Sequence, residues 1–162
     1  MKTTVVVGNP KPSSRTLQVA EALLDRLVPG SDRHVIDLAV ADDLQPLTER
    51  VAASDLVVVA SPTYKATYTG LLKSFLDRYG NDGLAGVTAI PVMTGASPAH
   101  SLGVDIHLTP LLTELGAVVP GRGWYFVTSD MDQLDAQAAE AAARYARAFA
   151  RIARLAEEVR VP

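Results

Sequence analysis

Three short polar stretches carry the residue types that hold a charged, planar molecule: GNPKPSSRT from Gly8 to Thr16, SPTYK from Ser61 to Lys65, and TGASPAHS from Thr94 to Ser101. In the first, Lys11 brings charge and Ser13, Ser14 and Thr16 bring hydroxyl donors where a helix begins. A helix start presents unpaired N–H groups and a partial positive charge, so such a turn suits a phosphate. Gly8 stands alone, which excludes a GxGxxG dinucleotide loop, and no Gly-Lys-Ser/Thr closes the stretch as a nucleoside-triphosphate loop. A phosphomonoester remains as the candidate anion. The plainer reading of the same residues is that Ser14 or Thr16 caps the helix.

The second stretch has the parts of a wall for a flat ligand. Pro62 stiffens the exit from a strand, Tyr64 offers an aromatic face or edge, and Lys65 stabilises negative charge on a ring carbonyl or nitrogen. Gly70 is expected to permit close approach where the next helix starts. Against this, spacing alone favours Tyr64 and Tyr68 as ordinary half-buried aromatics and Lys65 as a solvated charge. In the third stretch Thr94, Ser97 and backbone N–H groups are donors for ring heteroatoms, and Gly95 is expected to let the backbone come close to a flat ligand.

These stretches need a frame, and the hydrophobic pattern supplies one. Five apolar, largely β-branched runs, Thr4 to Gly8, His34 to Leu38, Leu56 to Ala60, Val87 to Thr94 and Val118 to Val127, read as buried strands. Helical spacing fills the gaps: Thr16 to Val28, Leu47 to Asp55, Gly70 to Tyr79, Ser101 to Leu115 and Asp132 to Val159. In the last of these, Tyr145, Phe149, Ile152, Ala156 and Val159 form an apolar stripe expected to dock on a sheet. Continuous rather than alternating apolar strands, each followed by a helix, predict an α/β fold with a doubly wound five-stranded parallel sheet and helices on both faces. The common order for such a sheet is 2-1-3-4-5, which puts a binding crevice at the carboxyl ends of strands 1, 3 and 4. All three polar stretches fall there.

Composition narrows the partners. The chain has 162 residues, a size expected to make one domain over 1–162, and 48% of them are apolar. Fifteen Lys and Arg against 18 Asp and Glu leave no basic field for nucleic acid or an anionic membrane. Cysteine is absent, which excludes disulfides, thiolate metal sites and Cys nucleophiles. The opening MKTTVVVGNP has too short an apolar stretch for a signal sequence, so a cytoplasmic location is expected.

With these residues in view, the chain resembles a known family. GNPKPSSRT resembles the Gly-Ser-x-Arg-x-x-Ser-x-Thr phosphate loop of the NAD(P)H-dependent FMN reductases. These are flavodoxin-like enzymes that include the reductase components of two-component alkanesulfonate monooxygenases. SPTYKATYTGLLKSFLD and TGASPAHSLGVDIHLTPLLTELGA are similar to that family's second and third motifs, and the resemblance runs from Thr4 to about Thr128. It implies that the first loop (Asn9, Lys11, Ser13, Ser14, Arg15 and Thr16) holds the phosphate of FMN. Pro62, Thr63, Tyr64 and Lys65 would then line its ring, and Thr94, Gly95, Ala96 and Ser97 would approach the ring's pyrimidine end. Asn9 stands where the family usually has Ser, Lys11 where it has Arg, and Ala96 where it has a second Gly. The change at Lys11 keeps the charge and loses the bidentate fork.

The implied activity is an NAD(P)H-dependent FMN reductase, with hydride passing from nicotinamide C4 to flavin N5 between stacked rings. That chemistry demands no acid or base, so no catalytic side chain and no metal is expected. The resemblance further implies a homodimer or homotetramer with the Gly70 to Tyr79 helix at the contact, and delivery of reduced flavin to a monooxygenase. A quinone or azo reductase with bound FMN, and a non-enzymatic flavodoxin-like electron carrier, are the rival readings. Carriers are usually strongly acidic, whereas this chain has a formal net charge of −3. NADPH and NADH leave no distinguishing fingerprint here, and FMN as substrate or as resident group stays open. His34 reads as a strand residue, and His100 and His107 are seven apart without a third metal ligand. Lys73 and Asp77 are spaced as a helical ion pair, and Trp124 and Tyr125 are readable either as core or as neighbours of the nicotinamide.

Overall fold

Valine-rich runs without polar alternation are stable only when both faces are covered. The computed structural model, which describes residues 1–159, covers them in that way. The elements follow in the order β1 (Thr3–Val7), α1 (Arg15–Leu27), β2 (Arg33–Asp37), α2 (Gln45–Ala52), β3 (Leu56–Pro62), α3 (Gly70–Leu76) and β4 (Thr88–Gly95). A π-helical turn (Val104–Leu108) then runs into α4 (Thr109–Glu114), followed by β5 (Trp124–Val127) and α5 (Leu134–Glu158). Every strand pairs in parallel in the order β2-β1-β3-β4-β5, as the sequence predicts.

Alternate residues of the strands build two cores. Val6, Val57, Val59, Ala89 and Met93 pack against Val51 of α2, Leu72, Phe75 and Leu76 of α3 and Leu112 of α4. Val5, Val7, Val58, Ile90, Val92, Trp124 and Phe126 pack against Val19, Leu23 and Leu24 of α1. The same face takes Ala138, Ala141, Ala142 and Tyr145 of α5, whose three alanines let that helix come close. The Tyr145 hydroxyl donates to the Arg122 carbonyl at 2.8 Å, and burial raises its pKa above that of a free phenol.

Three elements depart from expectation. The fifth strand is Trp124–Val127 and not Val118 to Val127, because Pro120 has no N–H to donate and Gly121 does not hold the extended form. Val118 makes a single parallel bridge to Thr88 before the chain leaves the sheet. The helix expected from Ser101 starts as a widened turn, in which the Thr109 N–H reaches back to the Val104 carbonyl. Pro110 removes the N–H that would bond the Ile106 carbonyl, and a π-turn accommodates the gap. The stripe on α5 docks through Tyr145 and half-buried Phe149 only; Ile152 and Val159 are 44% and 63% exposed. At about 1.5 Å per residue this 25-residue helix simply outruns strands of at most eight residues. Among the described residues no helix is long and apolar enough to cross a membrane.

The crevice end of the sheet depends on one glycine. A Cβ on Gly8 would lie 2.4 Å from Leu72 Cβ and 3.0 Å from its Cα, so only glycine lets α3 seat against the end of β1. The Thr69 hydroxyl caps α3, accepting from Leu72 N–H at 3.1 Å while donating to the Gly8 carbonyl at 2.5 Å. That bond ties the second loop to the first.

Candidate functional site

All three polar stretches gather at the carboxyl ends of β1, β3 and β4 around two adjoining recesses. One, of about 610 Å³, is lined by Asn9, Lys11, Ser13, Ser14, Arg15 and Thr16 of the first loop, Pro62 and Thr63 of the second, and Thr94, Gly95 and Ala96 of the third. The other, of about 440 Å³, is lined by Thr63, Lys65, Ala66, Gly95, Ala96, Ser97, His100 and Tyr125. They share Thr63, Gly95 and Ala96. Tyr64 lies outside both linings and is 52% exposed.

The first loop divides its polar groups between self-support and the recess. Ser14 is the N-cap of α1 and its hydroxyl accepts from Leu17 N–H at 3.3 Å, so the capping role is the one its side chain fills. Thr16 is 1% exposed, and its hydroxyl accepts from Asn9 Nδ2 at 3.0 Å and lies 2.8 Å from Thr94 Oγ1. Asn9 also turns the chain by accepting from Lys11 N–H at 2.9 Å. The first internal bond of α1 comes from Gln18 N–H to the Ser14 carbonyl, which leaves the N–H groups of Ser14, Arg15 and Thr16 to the recess. The exposed side chains of Lys11 and Arg15 flank them. Within this loop, then, backbone donors and two cations face outward, while the hydroxyls of Ser14 and Thr16 brace.

The second loop is fixed by strain. Tyr64 and Thr67 exchange backbone hydrogen bonds of 2.8 and 3.2 Å around Lys65 and Ala66, which have φ of +51° and +71°. This is the backbone of a two-residue turn that normally wants Asn-Gly, and each left-handed L-residue costs about 1 kcal/mol. The turn presents Lys65 to the smaller recess. Upstream, the Thr63 N–H donates to the Thr94 carbonyl at 2.7 Å. The Thr63 hydroxyl is different: among the described residues it is the buried side-chain polar atom left without a partner, in a residue that lines both recesses.

One glycine reading changes. A Cβ on Gly70 would meet nothing within 4 Å, so that residue makes no close approach; its place after the Thr69 cap is what the helix start needs. Gly95 lines both recesses, and an added Cβ there would also run into the Tyr125 hydroxyl. That hydroxyl donates to the Ser97 carbonyl at 3.0 Å and props the third loop. Trp124 points to the opposite face and is core. His100 lines the smaller recess, Ile106 in the π-turn is 61% exposed, and Lys73 and Asp77 form an exposed ion pair on α3. Sequence reading missed Asp37, whose Oδ2 accepts from Ser13 N–H at 3.0 Å. The strand order held the signal, because the last residue of β2 must lie beside the loop that leaves β1.

A depression of about 480 Å³ at the opposite end of the sheet, lined by Lys2, Thr4, His34, Arg50 and Ser54 among others, lacks such a feature. The hydroxyls of Thr4 and Ser54 satisfy each other at 2.8 Å. Burial, aided by the nearby Arg50, holds the His34 pKa below its usual value.

A parallel sheet in this order, with an anion-ready helix start and a second recess beside it at the carboxyl edge, defines a flavodoxin-like protein. The comparison with known proteins carries this further: residues 1–132 match the NADPH-dependent FMN reductase family, and the chain belongs to it. It is thus an oxidoreductase of a family that works with FMN and NAD(P)H. The chain is 30% identical over 150 residues to the NADH-dependent FMN reductase SfnF of Pseudomonas putida, covering 82% of this chain and 81% of that one. It is 29% identical over 147 residues to an FMN reductase (NADPH) of Pseudomonas aeruginosa, covering 81% and 79%. The apo form of the NADH:FMN oxidoreductase EMOB superposes with a TM-score of 0.79 at 31% identity, covering 90% of this chain and 88% of that one.

The Thr16–Thr94 bond, buried between two elements far apart in sequence, is expected to be worth about 1 kcal/mol. Urea unfolding of Thr94→Val will show a loss of that order, since the Thr16 hydroxyl loses a partner where water does not reach; unchanged stability would mean that the two loops are not braced there.

Proposed function

We propose that the paired recesses are the FMN site of an NAD(P)H-dependent FMN reductase and that residues 1–162 act as one FMN-binding domain. The observation that carries this is the Thr63 hydroxyl. Burying a polar group without a partner costs about 1–3 kcal/mol, and since Thr63 lines both recesses, a ligand seated there is the candidate partner. The residues fit FMN in both charge and shape. The N–H groups of Ser14, Arg15 and Thr16, together with Lys11 and Arg15, would hold the phosphate. Pro62, Thr63 and the strained Lys65 turn would bound one side of the ring, with Gly95, Ala96 and Ser97 on the other, and Tyr64 at the solvent edge. Asn9, Ser13 and Thr94 support these contacts.

When bound, FMN supplies the hydride-accepting ring, and either nicotinamide nucleotide would serve as donor. The chain's own contribution is orientation and charge: Lys65 sits to offset negative charge on the ring, and the braced loops hold a stacking gap open without rearrangement. No side chain is assigned a proton transfer. Since the reaction consumes NAD(P)H, we place it in the cytoplasm, with reduced flavin passing to a flavin-dependent monooxygenase. A homodimer or homotetramer is proposed as well. Leu102 and Ile106 are 58% and 61% exposed, and Gly103 between them in sequence approaches the Ala66 carbonyl of the Lys65 turn. A second copy would cover this apolar rim.

Anaerobic mixing of the protein with FMN and NADPH or NADH will bleach the flavin band faster than the protein-free rate; no acceleration with either donor overturns the reading. Thr63→Val separates the site from general stability, because the two effects have opposite sign. The substitution will raise unfolding free energy by about 1 kcal/mol and weaken FMN binding about tenfold, whereas a hydroxyl unconnected with the ligand would leave affinity unchanged. Light scattering at assay concentration will give the mass of two or four chains, and a mass of 17.2 kDa alone contradicts the proposed assembly.

A further inference from the structure

Asp37 ends β2 in register with Val7, the last residue of β1, so its carboxylate lies behind the turn from Lys11 to Thr16. Both its oxygens are engaged: Oδ2 accepts from Ser13 N–H at 3.0 Å and Oδ1 from Ala39 N–H at 3.1 Å. Ser13 has φ of +50°, in the left-handed region that L-residues enter at a cost. The next residue returns to the extended form, at φ −75° and ψ 164°, and caps α1. The reversal that aims the first N–H groups of α1 into the larger recess is therefore made at Ser13, and Asp37 is the side chain that holds its backbone.

We infer, resting on the reading that this recess takes the flavin phosphate, that Asp37 is a positioning residue for phosphate recognition. By clamping Ser13 in its left-handed state, it sets how strongly the protein distinguishes FMN from riboflavin. Preorganising donors before binding removes an ordering cost that the ligand would otherwise meet. A carboxylate behind an anion site also carries a repulsive charge, and the two effects have opposite signs. If the clamp dominates, removing Asp37 weakens FMN binding; if the charge dominates, removal tightens it. The geometry favours the clamp, because both oxygens are committed to backbone donors and Oδ2 faces the back of the turn.

The test is the ratio of the riboflavin to the FMN dissociation constant, measured for the full chain, for Asp37→Asn, for Asp37→Ala, and for Asp37→Ala combined with Ser13→Gly. The amide of Asp37→Asn keeps an oxygen for the Ser13 N–H, so its ratio will stay within about threefold of the parent. In Asp37→Ala the ratio will fall about tenfold, through FMN, as expected for the loss of one charge-assisted hydrogen bond. Glycine enters the left-handed region without steric cost, so Ser13→Gly will recover part of that loss although the hydroxyl is gone. Tighter FMN binding in Asp37→Ala, or tightening beyond that threefold window in Asp37→Asn, would make the carboxylate chiefly a repulsive charge and overturn the inference. Equal weakening of both flavins, or no rescue by glycine, would reduce Asp37 to a general structural role and overturn it as well. Should Asp37→Ala fail to fold, the Asp37→Asn ratio and the double variant still decide. A parent that binds FMN no better than riboflavin would instead overturn the phosphate reading beneath it.

Discussion

The site is held by Thr94, which lies at the end of β4 and joins two other loops at once. Its hydroxyl meets Thr16 at the start of α1, and its carbonyl takes the N–H of Thr63 beyond β3. Thr16 and Thr94 are each 1% exposed, so these bonds lie where water does not compete, and the loops cannot part without leaving polar groups unpaired. The bond from Thr69 to the Gly8 carbonyl closes the remaining side between first and second loops. Three connections that are far apart in sequence are thereby made into one rigid edge.

Rigidity at that edge makes the local costs intelligible. Lys65 and Ala66 are both left-handed, Ser13 is left-handed, and the Thr63 hydroxyl is buried without a partner, all within one end of the sheet. Strain and unsatisfied groups gather where a protein acts, provided that the surroundings over-determine the geometry. The two cores and the cross-bonded threonines supply that surplus. A loop free to relax would turn Lys65 away and give the Thr63 hydroxyl to solvent.

Much of this was legible from residue order alone, for definite reasons. Uninterrupted Val and Ile runs predict a sheet buried on both faces, and the usual winding of such a sheet sends Gly8, Ser61 and Thr94 to one edge. What periodicity cannot convey is how hydroxyls choose partners. The types of Ser14 and Thr16 allow either a phosphate donor or a helix cap, and only the fold shows that Ser14 caps α1 while Thr16 braces Thr94. Gly95 reads as room for a ligand, and residue order does not convey that the Tyr125 hydroxyl of the neighbouring strand also needs the place of its missing Cβ. Asp37 was not legible as a site residue because its contacts are tertiary and it lies in no polar stretch, and the choice for Tyr125 between core and ligand neighbour could not be made from residue order for the same reason. At β5 and α5 the apolar pattern continued past the point where Pro120 and the length of the sheet ended the structure.

The account depends on the braced edge being where flavin goes, in preference to the depression at the amino ends of β1 and β2. Amide chemical shifts recorded while FMN is added to the isotope-labelled protein test this directly. Shifts are predicted to fall on residues 13 to 16, 63 to 66 and 95 to 97, while Lys2, His34 and Arg50 stay unmoved. Shifts confined to those last three, or none at any flavin concentration, would contradict it.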